Sequence, residues 1–356
     1  MRTDQWPISS LKKYYYPPIA IRLLQQAAIA PLEEASQAWR KWRDLDRLDV
    51  ISWQEQKILA RMHYRIRELD PGYIHLRRVV GLSKSIWTKS GFRLNASMKA
   101  VDLLLTHGFK VMLFKGVPWD QRFDAKGVRL SGDLDILVPE VDFIRALSLL
   151  EQNKWVTEAN TTWIKRGVIP NEIHGLNYSN QYGGHIDIHR RPSHSIPEKH
   201  YLDGLWARSE LRDFMGRPLY FCCHADFLAL LIDHGVGKCA GPYMSSIWPV
   251  DFHQSISLLD MDLIDSFRSI VQELRIPVQC EFALSYCSRI LKSDRISEFS
   301  RHVEPFTIST SDLIRSLLHS PPAFTRGTPL WLLGGSIRRL RRYGNNVRQW
   351  QWSQSP

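Results

Sequence analysis

The chain lacks any long apolar run: Phe227 to Ile232 is short and stops at Asp233 and His234, far from the roughly 20 residues that a bilayer span requires. It also lacks a Cys-x-x-Cys pair. Its five cysteines, Cys222, Cys223, Cys239, Cys280 and Cys287, are an odd set without ligand spacing, which excludes a disulfide framework and suits a reducing compartment. Glycine (20) and proline (19) are too few and too scattered among 356 residues for a collagen-like or low-complexity chain. Met1 to Asp4 carry no apolar signal core, so the expected location is the cytoplasm, with no membrane span.

Acidic residues are in the minority. There are 36 against 47 Lys and Arg, giving a net charge of +11 and a sequence pI near 9.5. A positive surface favours nucleotides, RNA or anionic lipid alike, so the sign narrows the partners without naming one. With 44% apolar residues, the chain has material for two or three modest cores.

From Pro31 to about Leu69, apolar residues recur at helical spacing among many charges. Pro71-Gly72 breaks that pattern, and a second helical stretch follows from Ile74, with Asn95 as the expected cap of a further helix to His107. Phe109–Phe114, Leu134–Val138 and His185–His189 read as strands, with a helix from Asp142 to Gln152. After Pro218 the chain reads as helices again: Phe227–His234, Ile247–Leu259, Leu263–Leu274 and Gln279–Leu291. Its end carries Arg338, Arg339, Arg341, Arg342 and Arg348 without an acid, interleaved with Trp331, Tyr343, Trp350 and Trp352. The expected organisation is a helical region over 1–100, a small α/β centre over 101–218 and a helical region over 219–356.

The sharpest feature is Gly132-Asp133-Leu134-Asp135-Ile136-Leu137-Val138. Alternation on a strand sends Asp133 and Asp135 to one face and Leu134 and Ile136 to the core. Two carboxylates side by side repel unless a cation lies between them, and hard oxygen donors suit Mg²⁺ or Mn²⁺. Asp187, flanked by Ile186 and Ile188, offers a third carboxylate. Together the three fit a site for two ions roughly 3.5–4 Å apart, as used in phosphoryl and nucleotidyl transfer. In that reading Asp133 and Asp135 hold metal on a triphosphate, and Asp187 holds the metal that activates an acceptor and takes its proton. Upstream, Gly116 allows close approach of backbone to phosphate and Lys115 adds a point charge, the two facing the acids across a triphosphate-sized gap. Arg129 is placed to stabilise developing charge, Ser131 to bind phosphate, and His189 to orient Asp187 or touch the acceptor.

Plainer readings stand beside these. Two aspartates on a strand face are commonly just solvated; the Gly before the pair, the Lys-Gly turn and the third strand-borne acid set this pair apart. His185, Asp187 and His189 also suit a transition metal of the kind used by a hydrolase, although three ligands on one straight strand converge poorly. Cys222, Cys223 and Cys239 read as small apolar filler, and His174, His194 and His200 as loop residues.

The segments Leu113-Phe114-Lys115-Gly116, Arg129-Leu130-Ser131-Gly132-Asp133-Leu134-Asp135-Ile136-Leu137-Val138 and Ile186-Asp187-Ile188-His189 resemble the uncharacterised bacterial nucleotidyltransferase family of the polymerase β superfamily. That family's pattern reads LKG, R..GDIDLLV and a later IDIH or LEIH. The likeness extends from about Trp39 to Asp251 and includes a helix from His224 that ends in His234-Gly235. Where the wider superfamily usually carries Gly-Ser after its first strand, this chain carries Lys115-Gly116, the form its nearer family shares. The resemblance implies an α+β fold with a small mixed-sheet, polymerase β-like palm between helical regions. It also implies a Mg²⁺ and NTP site, with ATP the expected nucleotide, and transfer of a nucleoside monophosphate to a small-molecule, peptide or other biosynthetic acceptor. The competing expectation is an RNA-binding or regulatory protein on a non-catalytic scaffold, with nucleic acid held by the arginine-rich end.

Overall fold

The computed structural model describes residues 17–46, 48–116, 133–164, 167, 169–170, 173–193, 199–237, 246–256 and 261–312. Three helices open it: α1 (Ile19–Ile29), α2 (Leu32–Arg43) and α3 (Trp53–Leu69). The start of α3 is set by a capping box. Ser52 accepts from the Glu55 backbone N–H while the Glu55 carboxylate accepts from the Ser52 N–H at 2.9 Å, and Glu55 also receives the Trp42 indole N–H at 3.2 Å.

Helix α4 is continuous over Leu76–Thr106. The expected break at Asn95 does not occur, and the 100/101 boundary falls inside this helix. Its two ends explain why: Val79 is buried in one core, whereas Met98, Val101 and Leu104 are buried in another. Packing at both ends outweighs the weak cap preference of one asparagine.

Among the described residues, six short strands form one mixed sheet in the order β3-β4-β2-β1-β6-β5. They are β1 (Met112–Leu113), β2 (Leu134–Leu137), β3 (Gly175–Ser179), β4 (His185–His189), β5 (Glu210–Phe214) and β6 (Arg217–Phe221). β1 is much shorter than the expected Phe109–Phe114 strand. β3 alternates Leu176 and Tyr178 with more exposed residues but is short and was not anticipated, and the β5–β6 hairpin, which carries no clear alternation, was not either. β6 pairs in parallel with β1, so the sheet continues past residue 218. Around the sheet lie α5 (Phe143–Gln152), α6 (Lys199–Ala207), α7 (His224–Gly237), α8 (Trp248–Ser255), α9 (Met261–Glu273), α10 (Pro277–Ser285) and α11 (Asp294–His302). The helix expected over Gln279–Leu291 is instead α10 followed by a π turn at Tyr286–Ile290.

One face of the sheet, with Leu134, Ile136, Ile186 and Ile188, packs on α5 and the end of α4. The other face contributes Met112, Phe114 and Leu137 to a larger core built from α1–α3 together with α7–α11. The helices before and after the centre therefore share a single core. The fold is α+β, and no helix among the described residues is long and apolar enough to cross a membrane.

That larger core contains a pH-sensitive contact remote from the acids. His253 on α8 bonds through Nδ1 to Ser293 Oγ at 2.8 Å. Burial, with Arg295 and Arg65 nearby, pulls its imidazole down to about 4. Because the folded value lies below the unfolded one, the unfolded chain takes up a proton first as pH falls through 6.5. Stability is therefore expected to drop by on the order of 3 kcal/mol between pH 6.5 and 4 from this group. Urea unfolding across that range should show the slope in the wild type and a flatter profile in His253→Gln.

Candidate active site

β2 and β4 run parallel, and their register sets Asp135 opposite Asp187. Alternation turns Leu134 and Ile136 into the core beneath α5, so both carboxylates project from the opposite face of the sheet, where α7 lies. Asp133 stands two residues before Asp135, just ahead of β2, and its charge reaches Lys115.

Lys115 is in direct contact with the acids, which differs from the expected placement across a gap. Its Nζ donates to Asp135 Oδ1 at 2.9 Å, and both side chains are only 13% exposed. The cause is sheet order: β1 lies next to β2, and Lys115 follows β1 by two residues. Burial alone would push the Asp135 carboxyl up, yet the Lys115 ammonium and His189 outweigh it and hold this group well below the usual carboxylate range. The Lys115 ammonium is raised in the same way, since Asp135, Asp187 and Asp133 overcome the effect of burial. Both groups are therefore charged at neutral pH. Gly116 follows at φ +51°, a left-handed conformation that glycine adopts without steric cost.

His189, expected to orient Asp187 or touch the acceptor, is fully buried. It sits at the end of β4, with Nε2 3.0 Å from Asp187 Oδ2 and 3.3 Å from Asp135 Oδ1. Phe114 meets its ring edge-on at 5.0 Å and His174 lies 5.3 Å away. Nδ1 is buried with no hydrogen-bond partner among the described residues. An orphaned acceptor costs less than an orphaned N–H, so the proton belongs on Nε2, which donates to Asp135 Oδ1 with Asp187 Oδ2 close by. The orienting half of the expectation fits this geometry.

Asp135, Asp187 and His189 each bring one ligand-type atom within 4.8 Å of the others. The donor chemistry fits a hard divalent cation, because two carboxylates in register supply oxygen while the Nε2 proton makes His189 a donor to Asp135. His185 is exposed and stands outside this group. Arg129, Ser131, Cys239 and the arginine-rich end lie outside the described residues. Cys222 is fully buried filler, as expected. Sequence reasoning missed the effect of His234: α7 brings it near enough for its charge to act on Asp135. The signal was the His234-Gly235 pair, which lies near the end of that helix.

Paired carboxylates with a lysine against them suit a site that handles cation and phosphate together. Residues 52–292 match the family described as uncharacterised nucleotidyltransferase, about two thirds of the chain, and the chain belongs to that family. No curated protein and no solved structure matches it.

Proposed function

We propose that this protein is a divalent-metal-dependent nucleotidyltransferase that moves a nucleoside monophosphate from an NTP, with ATP the preferred choice, to a small-molecule or peptide acceptor. The observation that carries this reading is the register of Asp135 against Asp187 beside Lys115, in a chain of a nucleotidyltransferase family. The sheet with its acid row would then serve as a polymerase β-like palm.

Asp135 and Asp187 would hold Mg²⁺ or Mn²⁺, with Asp133 extending the acid row. The ion, when bound, would polarise the phosphate and lower the acceptor's pKa. Asp187 takes the acceptor proton as the acceptor atom bonds to the α-phosphorus, and the bond from that phosphorus to the β-bridging oxygen breaks, releasing pyrophosphate. His189 holds Asp135 through Nε2–H and stands beside Asp187. Gly116 lets the backbone approach phosphate, and Lys115 supplies positive charge to the triphosphate. Arg129 and Ser131 are assigned to the leaving group and a phosphate oxygen by their place just before Asp133. The arginine-rich end is a reserve surface for an anionic acceptor, nucleic acid included.

Incubation with cell extract and either α-labelled or γ-labelled ATP separates this reaction from its alternatives. Label transferred from the α-position only, with pyrophosphate released, is the expected result. Transfer of γ-label, or no transfer from any of the four NTPs, would overturn it.

A further inference from the structure

We propose that Lys115 and the divalent ion compete for Asp135, so that the ion enters the site with the nucleotide and not ahead of it. This inference rests on the nucleotidyltransferase reading above.

Asp135 Oδ1 already accepts two hydrogen bonds, from Lys115 Nζ at 2.9 Å and from His189 Nε2 at 3.3 Å. An ion binding through that oxygen must displace the ammonium. An ion using the other oxygen must sit beside the ammonium, where little water screens two positive charges. Lys115 cannot simply withdraw, because a buried ammonium without an anion is costly. The Phe114 ring, 4.8 Å from Nζ, flanks the ammonium in its present place. A triphosphate supplies the missing anion, and the flexible lysine stem can turn toward it. Nucleotide therefore frees Asp135 for the ion, and by reciprocity the ion tightens nucleotide. Before either arrives, the ammonium offsets the repulsion between Asp135, Asp187 and Asp133.

The test is calorimetric titration of the full-length chain with Mn²⁺, with and without a non-hydrolysable α,β-methylene ATP analogue, together with melting in metal-free buffer. Lys115→Met should bind Mn²⁺ alone at least tenfold more tightly than wild type and melt lower without metal. The tightening of Mn²⁺ by the analogue should be at least tenfold larger in wild type than in Lys115→Met. Lys115→Arg, which keeps the charge, should behave as wild type. Lys115→Gln carries the same expectation as Lys115→Met and serves if that variant does not fold. Equal Mn²⁺ affinity in wild type and the neutral variants would overturn the competition and leave the acid-pair reading standing. Absence of Mn²⁺ binding in every variant, with and without the analogue, would overturn both.

Discussion

Asp187→Asn is expected to lower nucleotidyl transfer by about 10³-fold or more, the scale of losing a positioned base, while the chain stays folded. The amide has nearly the carboxylate's shape and keeps an oxygen beside His189 Nε2, which now lies 3.0 Å from Oδ2. What disappears is charge. Asp135 and Asp187 are direct cross-strand neighbours, and like charges so placed destabilise a sheet. Removing one relieves that repulsion but also removes an attraction for the Lys115 ammonium, so the melting temperature should change little. Activity lost with stability held is what a chemical role looks like, whereas a structural role would lower both. Pyrophosphate release and thermal melting on the same preparation make the comparison, and retained activity would remove Asp187 from the mechanism.

Gly175→Ala should damage the same site from behind. A Cβ at Gly175 would lie 2.6 Å from His189 Nδ1 and 2.9 Å from the Ile188 carbonyl oxygen. The second contact is backbone and cannot swing aside, because β3 and β4 pair at this point, Gly175 against His189. Phe114 and His174 limit the room for the ring. Overpacking of this kind costs about 1–3 kcal/mol. A shift of His189 by an ångström would also spoil the spacing of the two carboxylates, at a cost of about 10²-fold in rate. Gly81→Ala is the matching control: it sits within α4 with nothing inside 4 Å of its would-be Cβ, so the same change should stabilise by roughly 0.5–1 kcal/mol. Denaturant midpoints and pyrophosphate release on both variants test the contrast; equal effects would show that His189 has room to spare.

Most of the acid row was legible without coordinates because strand alternation is local. Ile186 and Ile188 around Asp187, and Leu134 and Ile136 around Asp135, tell by period alone which side chains leave the core. Helices α7, α9 and α10 were legible for the same reason. The β5–β6 hairpin was not, since Glu210–Phe214 and Arg217–Phe221 show no clean alternation. Asn95 misled because its local preference was weighed without the two cores that hold α4 straight.

Composition and short-range pattern by themselves settled that the chain folds around cores, has no long apolar run and carries two strand-borne aspartates, Asp135 and Asp187, with apolar flanks. Only the tertiary structure decided that Asp135 faces Asp187, that Lys115 touches Asp135 instead of facing it across a gap, that His189 is buried beside the pair and that α7 brings His234 within electrostatic reach of Asp135. Periodicity is written residue by residue and survives in the sequence. Which strand lies next to which, and in what register, depends on burying the surfaces of segments far apart in the chain, and no local run of residues records that choice.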